Sequence, residues 1–319
     1  MKGATLLAAL GIVIMILAAN GCSNQQPPLA AEKSASVASA SQPIDALPLR
    51  GFAYVGIQVS DLAKARIFYH DVLGYEEAFD LRAPDSQAVT VAYFKINDKQ
   101  FIEISPGLRP GQISSLTYVG MYTDDIEKLH RMLEQRGLTP EPISKSRDGN
   151  LKFSIRNPPG QNLAALDFVQ YMPGSLHSAA VGKALNERRI SKRVDHVGMV
   201  AMDLNTARKF YIETLGFRET TEKTMQNGTT YAVRLEVPGS GGENIEMSRL
   251  PSRFDRARAG IKEHLALAVS DPPAAYQQAS ERGATLTPVT STRGKIETFP
   301  FLLFDPDGTR IEFKQSTLK

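Results

Sequence analysis

The chain has 319 residues, of which 42% are hydrophobic and 22% are charged, and this balance excludes a mainly disordered protein while the length favours two domains. Lysine and arginine number 37 against 34 aspartate and glutamate, a net charge of +3, and the basic residues form no stripe, so nucleic acid is not expected as a partner. A single cysteine excludes an internal disulfide framework and a thiolate zinc cluster.

The N-terminus has the pattern of an export signal. Lys2 precedes an uncharged apolar run, 4–19, that is shorter than the roughly 20 residues a bilayer span needs, so residues 1–21 are predicted to be a signal peptide. The only cysteine follows directly, and the end of the run resembles a bacterial lipoprotein signal, which implies that Cys22 carries a lipid. We expect a lipoprotein on the periplasmic face of a bacterial membrane, touching the membrane only through this anchor. A secreted protein and a protein held by an uncleaved signal are the alternatives.

An internal repeat follows a flexible tether. Residues 22–49 are rich in Ser, Ala, Pro and Gln and lack periodic hydrophobic positions. Residues 54–75 then align without a gap on residues 196–217, with ten identities in 22 positions. A weaker pair relates 118–144 to 264–290. The repeat predicts a chain built by duplication.

Each repeat has the same local pattern. An alternating strand leads to an aspartate that can cap a helix (Asp61, Asp203), a helix ends at a glycine, and three β-like runs follow. The paired Arg66 and Arg208 are expected to make the same helix-to-strand contact. Four βαβββ units are predicted, near 50–107, 113–171, 192–250 and 260–316. They form two domains, 50–171 and 191–319, joined by a linker at 172–190.

This arrangement resembles the vicinal oxygen chelate superfamily. The resemblance is carried by His196-Val-Gly-Met, by the run from Glu263 to Asp271 (Glu-His-Leu-Ala-Leu-Ala-Val-Ser-Asp) and by the run from Phe304 to Phe313 (Phe-Asp-Pro-Asp-Gly-Thr-Arg-Ile-Glu-Phe). It implies an α+β fold in which pairs of βαβββ units curl into half-open β-cups with helices outside and a metal on the concave floor. Its members include glyoxalase I, extradiol dioxygenases, methylmalonyl-CoA epimerase and bleomycin-resistance proteins.

Four residues of the second domain are the candidate metal ligands. His196 and His264 open equivalent strands, and Glu246 and Glu312 lie between apolar neighbours in the last strands of the same two units. Strand alternation puts each glutamate on the face opposite those neighbours, and two carboxylates on one floor would repel without a cation. The set suits one divalent ion, Ni, Co, Mn, Fe or Zn, with positions left for a chelating small-molecule substrate.

The first domain lacks this set. Its matching positions hold Tyr54, Glu103, Tyr118 and Asp167, which lack both imidazoles. Residues 50–171 are therefore interpreted as a degenerate copy, and pairing of units within each half leaves one complete site. The remaining histidines, His70, His130 and His177, are expected on solvated helix faces or in the linker.

The resemblance to glyoxalase I implies a lyase or isomerase acting on a small oxygen-chelating carbonyl compound. Glu312 is then the favoured base and Glu246 the second carboxylate, with exchangeable roles. An extradiol ring-cleaving dioxygenase is an alternative, but it leaves Glu246 surplus and finds Leu302 where that family has a tyrosine. A small-molecule-binding protein without turnover is a third reading. We expect a monomer or a homodimer.

Overall fold

The structure is a computed structural model that describes residues 46–112, 115–156, 158–160, 165–250, 263–290 and 296–315. The predicted signal peptide, Cys22 and nearly all of the tether at 22–49 lie outside the described residues. In the part of the chain that is described, no helix is long and apolar enough to cross a membrane.

Residues 49–170, called the front half, contain two βαβββ units. The first comprises β1 (Leu49–Val59), α1 (Leu62–Ile67) continued by a π-helical turn (Phe68–Val72), β2 (Glu77–Arg82), β3 (Val89–Lys95) and β4 (Phe101–Pro106). The second comprises β5 (Leu116–Thr123), α2 (Ile126–Gln135), β6 (Ser144–Lys145), β7 (Leu151–Ile155) and β8 (Ala165–Gln170). A short helix, α3 (Leu176–Ala179), follows.

Residues 193–315, called the rear half, repeat this order. The third unit comprises β9 (Arg193–Ala201), α4 (Leu204–Lys209) with a π-helical turn (Phe210–Thr214), β10 (Arg218–Thr224), β11 (Thr230–Glu236) and β12 (Asn244–Arg249). The fourth comprises β13 (His264–Val269), α5 (Pro272–Glu281), β14 (Thr287–Thr290), β15 (Ile296–Phe304) and β16 (Arg310–Gln315).

The two halves form two curled eight-stranded sheets with the same strand order. The front sheet runs β2-β3-β4-β1-β5-β8-β7-β6 and the rear sheet β10-β11-β12-β9-β13-β16-β15-β14. In each sheet the first strands of the two units pair antiparallel at the centre, β1 with β5 and β9 with β13. The predicted fold, four βαβββ units paired within halves into two cups, is confirmed. We call the concave faces the front cup and the rear cup.

Side-chain alternation sorts each strand into a core face and a cup face. On β9, Val197, Met199 and Ala201 are buried in the hydrophobic core beneath the helices. His196 and Gly198 take the alternate positions and face the rear cup. The same alternation places the apolar neighbours of Glu246 and Glu312 in the core. The sheet therefore presents polar side chains to the cup, while the central strands are apolar on the face that packs against the helices.

The helices begin and end as the sequence predicts. The carboxylate of Asp61 accepts from the backbone N–H of Ala63, and that of Asp203 accepts from Asn205, so both act as N-caps. The predicted arginine contact is also present twice. Arg66 Nη2 donates to Glu77 Oε1 at 2.7 Å, and Arg208 Nη2 donates to Glu219 Oε1 at 2.7 Å. These bonds attach each helix to the strand that follows it.

The halves pack against each other with an internal two-fold relationship. Arg136 Nη1 donates to the carbonyl of Thr214 at 2.6 Å, and Arg282 Nη1 donates to the carbonyl of Val72 at 3.0 Å. Arg136 and Arg282 are repeat equivalents, as are Val72 and Thr214. Each half therefore bonds to the other through the same two positions.

The predicted linker is folded, and the expectation for His177 was wrong. Helix α3 inserts the ring of His177 into the front cup, where its side chain is 1% exposed. Phe79, Tyr93, Phe101 and Tyr171 surround the ring, the last stacked on it at a centroid distance of 4.6 Å. A polar residue in a linker gives no sequence signal for this burial because the cup that receives it is formed by distant strands. Of the other two, His70 is exposed as expected, but His130 is mostly buried and bonds to the carbonyl of Glu141.

Candidate metal centre

Strand register brings the four predicted ligands of the rear half to one floor. Gly198 of β9 pairs with Glu246 on one side and with His264 on the other. One step along, Ala266 pairs with His196 and with Glu312. The four side chains therefore lie on adjacent central strands and on the same face of the sheet.

The two imidazoles meet at the centre of this floor. His196 Nε2 lies 2.9 Å from His264 Nε2, and both residues are almost fully buried. One ligand atom each of His196, Glu246 and His264 lies within 4.8 Å of the others. Glu312 Oε2 lies 3.7 Å from His264 Nε2. The spacing of His196, Glu246 and His264 is that of donor atoms that can share one ion, and Glu312 lies beside this group.

A β-bulge adds a fifth residue to the site. The β9–β13 register passes from His196 directly to Val194, so Asp195 is the extra residue, and its carboxylate reaches Nδ1 of His196 at 2.7 Å. A carboxylate on Nδ1 holds a proton there and leaves the Nε2 lone pair to face His264. This is the usual support of a metal-ligating histidine. Asp195 thus fixes the orientation and the tautomer of His196.

Glycine at position 198 makes room for the second imidazole. A Cβ atom at Gly198 would lie 2.1 Å from Cε1 and Nδ1 of His264, far inside van der Waals contact. Any larger residue would push the His264 ring away from His196. The Gly at this place is therefore part of the site's construction.

Two cations hold Glu246 in its ionised form. Arg234 Nε donates to its Oε2 at 2.8 Å, and Lys223 Nζ lies 3.3 Å from the same oxygen. Burial opposes ionisation, but Arg234, His196 and Lys223 outweigh it and hold the pKa of Glu246 well below its ordinary value. This carboxylate is charged and fixed in position.

Glu312 and His264 also keep the protonation states that metal binding requires. Burial raises the pKa of Glu312, but the two imidazoles and Arg310, whose guanidinium bonds to it, lower it further than burial raises it. Burial, with His196 and the positive charge of Arg310 nearby, lowers the pKa of His264 to about 3. Glu312 is therefore an anion and His264 a neutral imidazole near neutral pH.

Several residues of the site were not predicted from the sequence. They are the bulge carboxylate and the cations that surround the acids: Asp195, Lys223, Arg234, Arg310 and Lys314. The placement of Arg234 between two core residues, Val233 and Leu235, is a detectable signal for a cup-facing side chain. Asp195 had no such signal, since simple alternation assigns it to the face opposite His196.

The front cup carries the equivalent positions but uses them differently. Tyr54 donates its hydroxyl to Asp167 at 3.2 Å, and Tyr118 donates to Glu103 at 2.6 Å. The acids are retained, but each accepts a hydrogen bond from a tyrosine hydroxyl instead of facing an imidazole nitrogen. Burial raises the pKa of Glu103 to about 8. The four residues thus form two tyrosine–acid hydrogen bonds, and Ser154 also donates to Asp167.

The donor set of the rear cup fits a divalent metal ion. Two neutral imidazole nitrogens and two carboxylates converge there, supported by Asp195 on His196 and by Arg234 on Glu246. Nitrogen and oxygen donors of this kind suit Ni, Co, Mn, Fe or Zn. The residues that hold the ion would be His196, Glu246, His264 and Glu312.

Curated relatives match about two fifths of the chain. The Bacillus subtilis (strain 168) protein described as "Uncharacterized protein YwkD" is 28% identical over 122 residues, 38% of this chain and 94% of the relative. "Uncharacterized protein YwbC" of the same organism is 30% identical over 136 residues, 40% of this chain and 99% of the relative. Both relatives are thus shorter than this two-half chain.

Similar solved structures cover both halves. Homoprotocatechuate 2,3-dioxygenase from Brevibacterium fuscum has a TM-score of 0.60 at 20% identity, covering 88% of this chain and 75% of that one. The 2,3-dioxygenase LapB from Pseudomonas sp. KL28 has a TM-score of 0.59 at 16% identity, covering 84% and 93%. At such identities the likeness shows the fold.

The family comparison agrees with the fold and with the repeat. The family described as the glyoxalase/bleomycin resistance protein/dioxygenase superfamily matches residues 51–164 and, a second time, residues 193–313. These two matches correspond to the front and rear halves. The chain belongs to the glyoxalase/bleomycin resistance protein/dioxygenase superfamily, the vicinal oxygen chelate fold.

Proposed function

We propose that the chain is a divalent-metal-dependent enzyme of the glyoxalase I type, which moves a proton on the carbon next to a carbonyl of a small oxygen-chelating substrate. The observation that carries this proposal is the convergence of two imidazoles and two carboxylates on the floor of the rear cup. A dioxygenase site of two histidines and one glutamate would need only His196, His264 and Glu312. The fourth residue, Glu246, lies on the same floor with its side chain 14% exposed, and Arg234 holds it in place.

The residues of the site have two roles, to hold the metal ion and to transfer the proton. A divalent ion held there supplies Lewis acidity, which polarises the substrate carbonyl and acidifies the neighbouring C–H bond. His196 and His264 hold the ion as neutral donors, and the Asp195 carboxylate keeps His196 in the required tautomer. The floor of the rear cup provides the surface on which the substrate is oriented.

Of the two glutamates, Glu312 is the better base. Two cations contact the same oxygen of Glu246, and its pKa is held well below the ordinary value. Glu312 has Arg310 beside it and a pKa that is lowered less strongly. We therefore assign the proton transfer to Glu312 and the positional role to Glu246.

A second candidate function is ring cleavage of a catechol with oxygen. The whole-chain likeness to extradiol ring-cleaving dioxygenases, which covers both halves, favours it. Against it stands Leu302, which pairs with Glu312 across β15 and β16 and offers no hydroxyl at the place where that family is expected to have a tyrosine. A binding protein without turnover remains the third outcome of the test.

Metal analysis of the purified full chain tests the site. We expect about one divalent ion per chain, lost in His264→Ala and retained in His70→Ala, whose exposed imidazole lies outside the cup. An unchanged ion content in His264→Ala, or no ion in the wild type after loading with each of the five metals, rejects the proposal.

Reaction assays then separate the three functions. Exchange of the hydrogen next to the carbonyl with deuterated water, on a panel of α-oxo compounds, is expected for the wild type. Glu312→Gln should lose exchange and keep most of the metal. Oxygen uptake with catechols would instead establish the dioxygenase, and saturable binding without either signal would establish the binding protein.

We also propose that Cys22 is lipidated, on the strength of the sequence pattern alone. Metabolic labelling with a fatty acid in a bacterial host should label the full chain and leave Cys22→Ser unlabelled. Label on the variant, or none on the wild type, rejects the anchor and leaves the secreted or uncleaved form.

A further inference from the structure

Basic side chains surround the candidate metal centre. The acids of the rear cup are each contacted by at least one of four cations: Lys223, Arg234, Arg310 and Lys314. Arg234 and Lys314 flank a single oxygen, since Arg234 Nη1 lies 4.0 Å and Lys314 Nζ lies 3.8 Å from Asp195 Oδ2. These two therefore lie close together on the cup face, beside the donor atoms.

The fold does not require cations at these positions, as the front cup shows. Arg234 pairs with Glu246, and at the equivalent place Tyr93 pairs with Glu103. Lys314 pairs with Ala268, and the equivalent residue is Val169. By the same registers Lys223 corresponds to Leu81 and Arg310 to Ala165. At these four positions the front cup forms with uncharged residues.

Keeping these cations in the cup is costly, and the three acids that they contact, Asp195, Glu246 and Glu312, do not balance the charge of all four. The side chains of Arg234 and Lys314 are 15% and 33% exposed, and removing a cation from water is unfavourable unless an anion compensates it. Their contacts are with Glu246 and Asp195, which serve the metal centre. A divalent ion on the same floor adds positive charge that these acids must also balance.

We propose that the substrate carries an anionic group, such as a carboxylate, which Arg234 and Lys314 bind while its carbonyl faces the metal centre. This inference rests on the proposed function and narrows the substrate to a small oxo acid. A carboxylate accepts charge-assisted hydrogen bonds from a guanidinium and an ammonium, which are stronger than those of a neutral amide. An uncharged carbonyl compound of the same shape would lose these bonds.

Pyruvate and pyruvamide form a matched pair of probes. They have nearly the same shape and the same vicinal oxygens but differ in charge. Calorimetric titration of the metal-loaded full chain should give tighter binding of pyruvate. In Lys314→Gln, pyruvate binding should weaken about tenfold, as expected for loss of one charged hydrogen bond, while pyruvamide binding and metal content stay unchanged. Lys314→Arg should restore the preference.

A matched control and two failure modes complete the test. Lys209→Gln removes the same charge from the exposed outer face of α4 and should change nothing. A preference for pyruvate that survives in Lys314→Gln, equal weakening of both probes, or no saturable binding of pyruvate overturns the anion site. A chain that binds pyruvate through Lys314 but holds no metal rejects the proposed function instead, so the two failures are distinguishable.

Discussion

Gln100 donates a hydrogen bond from Nε2 to Oε1 of Glu243 at 2.8 Å, and the two residues occupy the same position in the two halves. Each directly precedes the strand that pairs in parallel with the first strand of its half, β4 with β1 and β12 with β9. The contact therefore joins one position of the repeat to its own copy, at the internal two-fold relationship between the halves.

Backbone bonds repeat the same symmetry. The N–H of Phe52 donates to Glu243 Oε2 at 2.7 Å, and the N–H of Val194 donates to Gln100 Oε1 at 3.0 Å. Phe52 and Val194 are again repeat equivalents. Each half thus supplies an acceptor for the other's first strand, which ties the strand that carries His196 to the front half.

Glu243 should make the stability of the chain depend on pH. Burial raises its pKa to about 7 from an ordinary 4.5, despite the bonds from Phe52 and Gln100 and the nearby Arg193. A raised folded-state pKa contributes stability that is complete below the unfolded-state pKa and is lost as the pH rises through the folded-state pKa. Between pH 5 and 8 the unfolding free energy of the wild type should therefore fall relative to Glu243→Gln, by on the order of 3 kcal/mol.

Urea denaturation of both proteins across this pH range measures the difference. At pH 5 Glu243→Gln should be the less stable protein, because its amide N–H group must face another N–H donor, either that of Phe52 or that of Gln100. The difference in unfolding free energy between the two proteins should narrow as the pH rises. A difference that stays constant with pH contradicts the expected titration of Glu243.

Gly198→Ala and Gly56→Ala make a matched pair that separates packing from metal binding. A Cβ at Gly198 would meet the His264 ring at 2.1 Å, and a Cβ at Gly56 would meet the Tyr118 ring at 2.4 Å. Both variants should lose about 1–3 kcal/mol of stability through overpacking. Only Gly198→Ala should also lose metal, since only there is the displaced ring a candidate ligand.

Thermal melting and metal content, measured on the same samples, distinguish the two effects. Equal metal loss in both variants would show that the loss follows general destabilisation. Full metal content in a folded Gly198→Ala would show that His264 does not hold the ion at its observed place.

The fold was predictable because the sequence patterns that specify it are periodic. The repeat at 54–75 and 196–217 fixed the unit, and alternation within each strand assigned Glu246 and Glu312 to the cup face, where the structure has them. His196 and His264 followed from their equivalent places in the repeated units, although β9 begins at Arg193, three residues before His196. Local rules suffice for such residues because each face of a strand is decided by its immediate neighbours.

The rest of the site depends on irregular or long-range features. Asp195 reaches the cup through a β-bulge, which breaks the alternation that the prediction used. His177 reaches the front cup from a segment without periodic pattern, because aromatic residues from separate strands form its surroundings. Neither feature follows from spacing in the sequence.

Asp195→Ala should weaken metal binding by about 10- to 100-fold, because it removes the carboxylate that orients His196. Alanine is tolerated by the backbone here, since Ala53 stands at the equivalent bulge of the front half. Competition with a chelator measures the affinity. Asp203→Ala, which removes an N-cap on the outer helix, should cost about 1 kcal/mol of stability and leave the metal affinity unchanged. Equal affinity in both variants would remove Asp195 from the site.

His177→Ala should open a cavity in the front cup and lower the unfolding free energy by about 2–4 kcal/mol, because the ring fills the space between four aromatic side chains. The metal content should stay unchanged, because the candidate metal centre lies in the other half. Free imidazole should raise the melting temperature of this variant and not that of the wild type, since a ligand that binds only the folded chain stabilises it. His70→Ala, at an exposed helix face, is the control and should show neither effect. If His177→Ala melts like the wild type, the His177 ring does not pack in the front cup in solution.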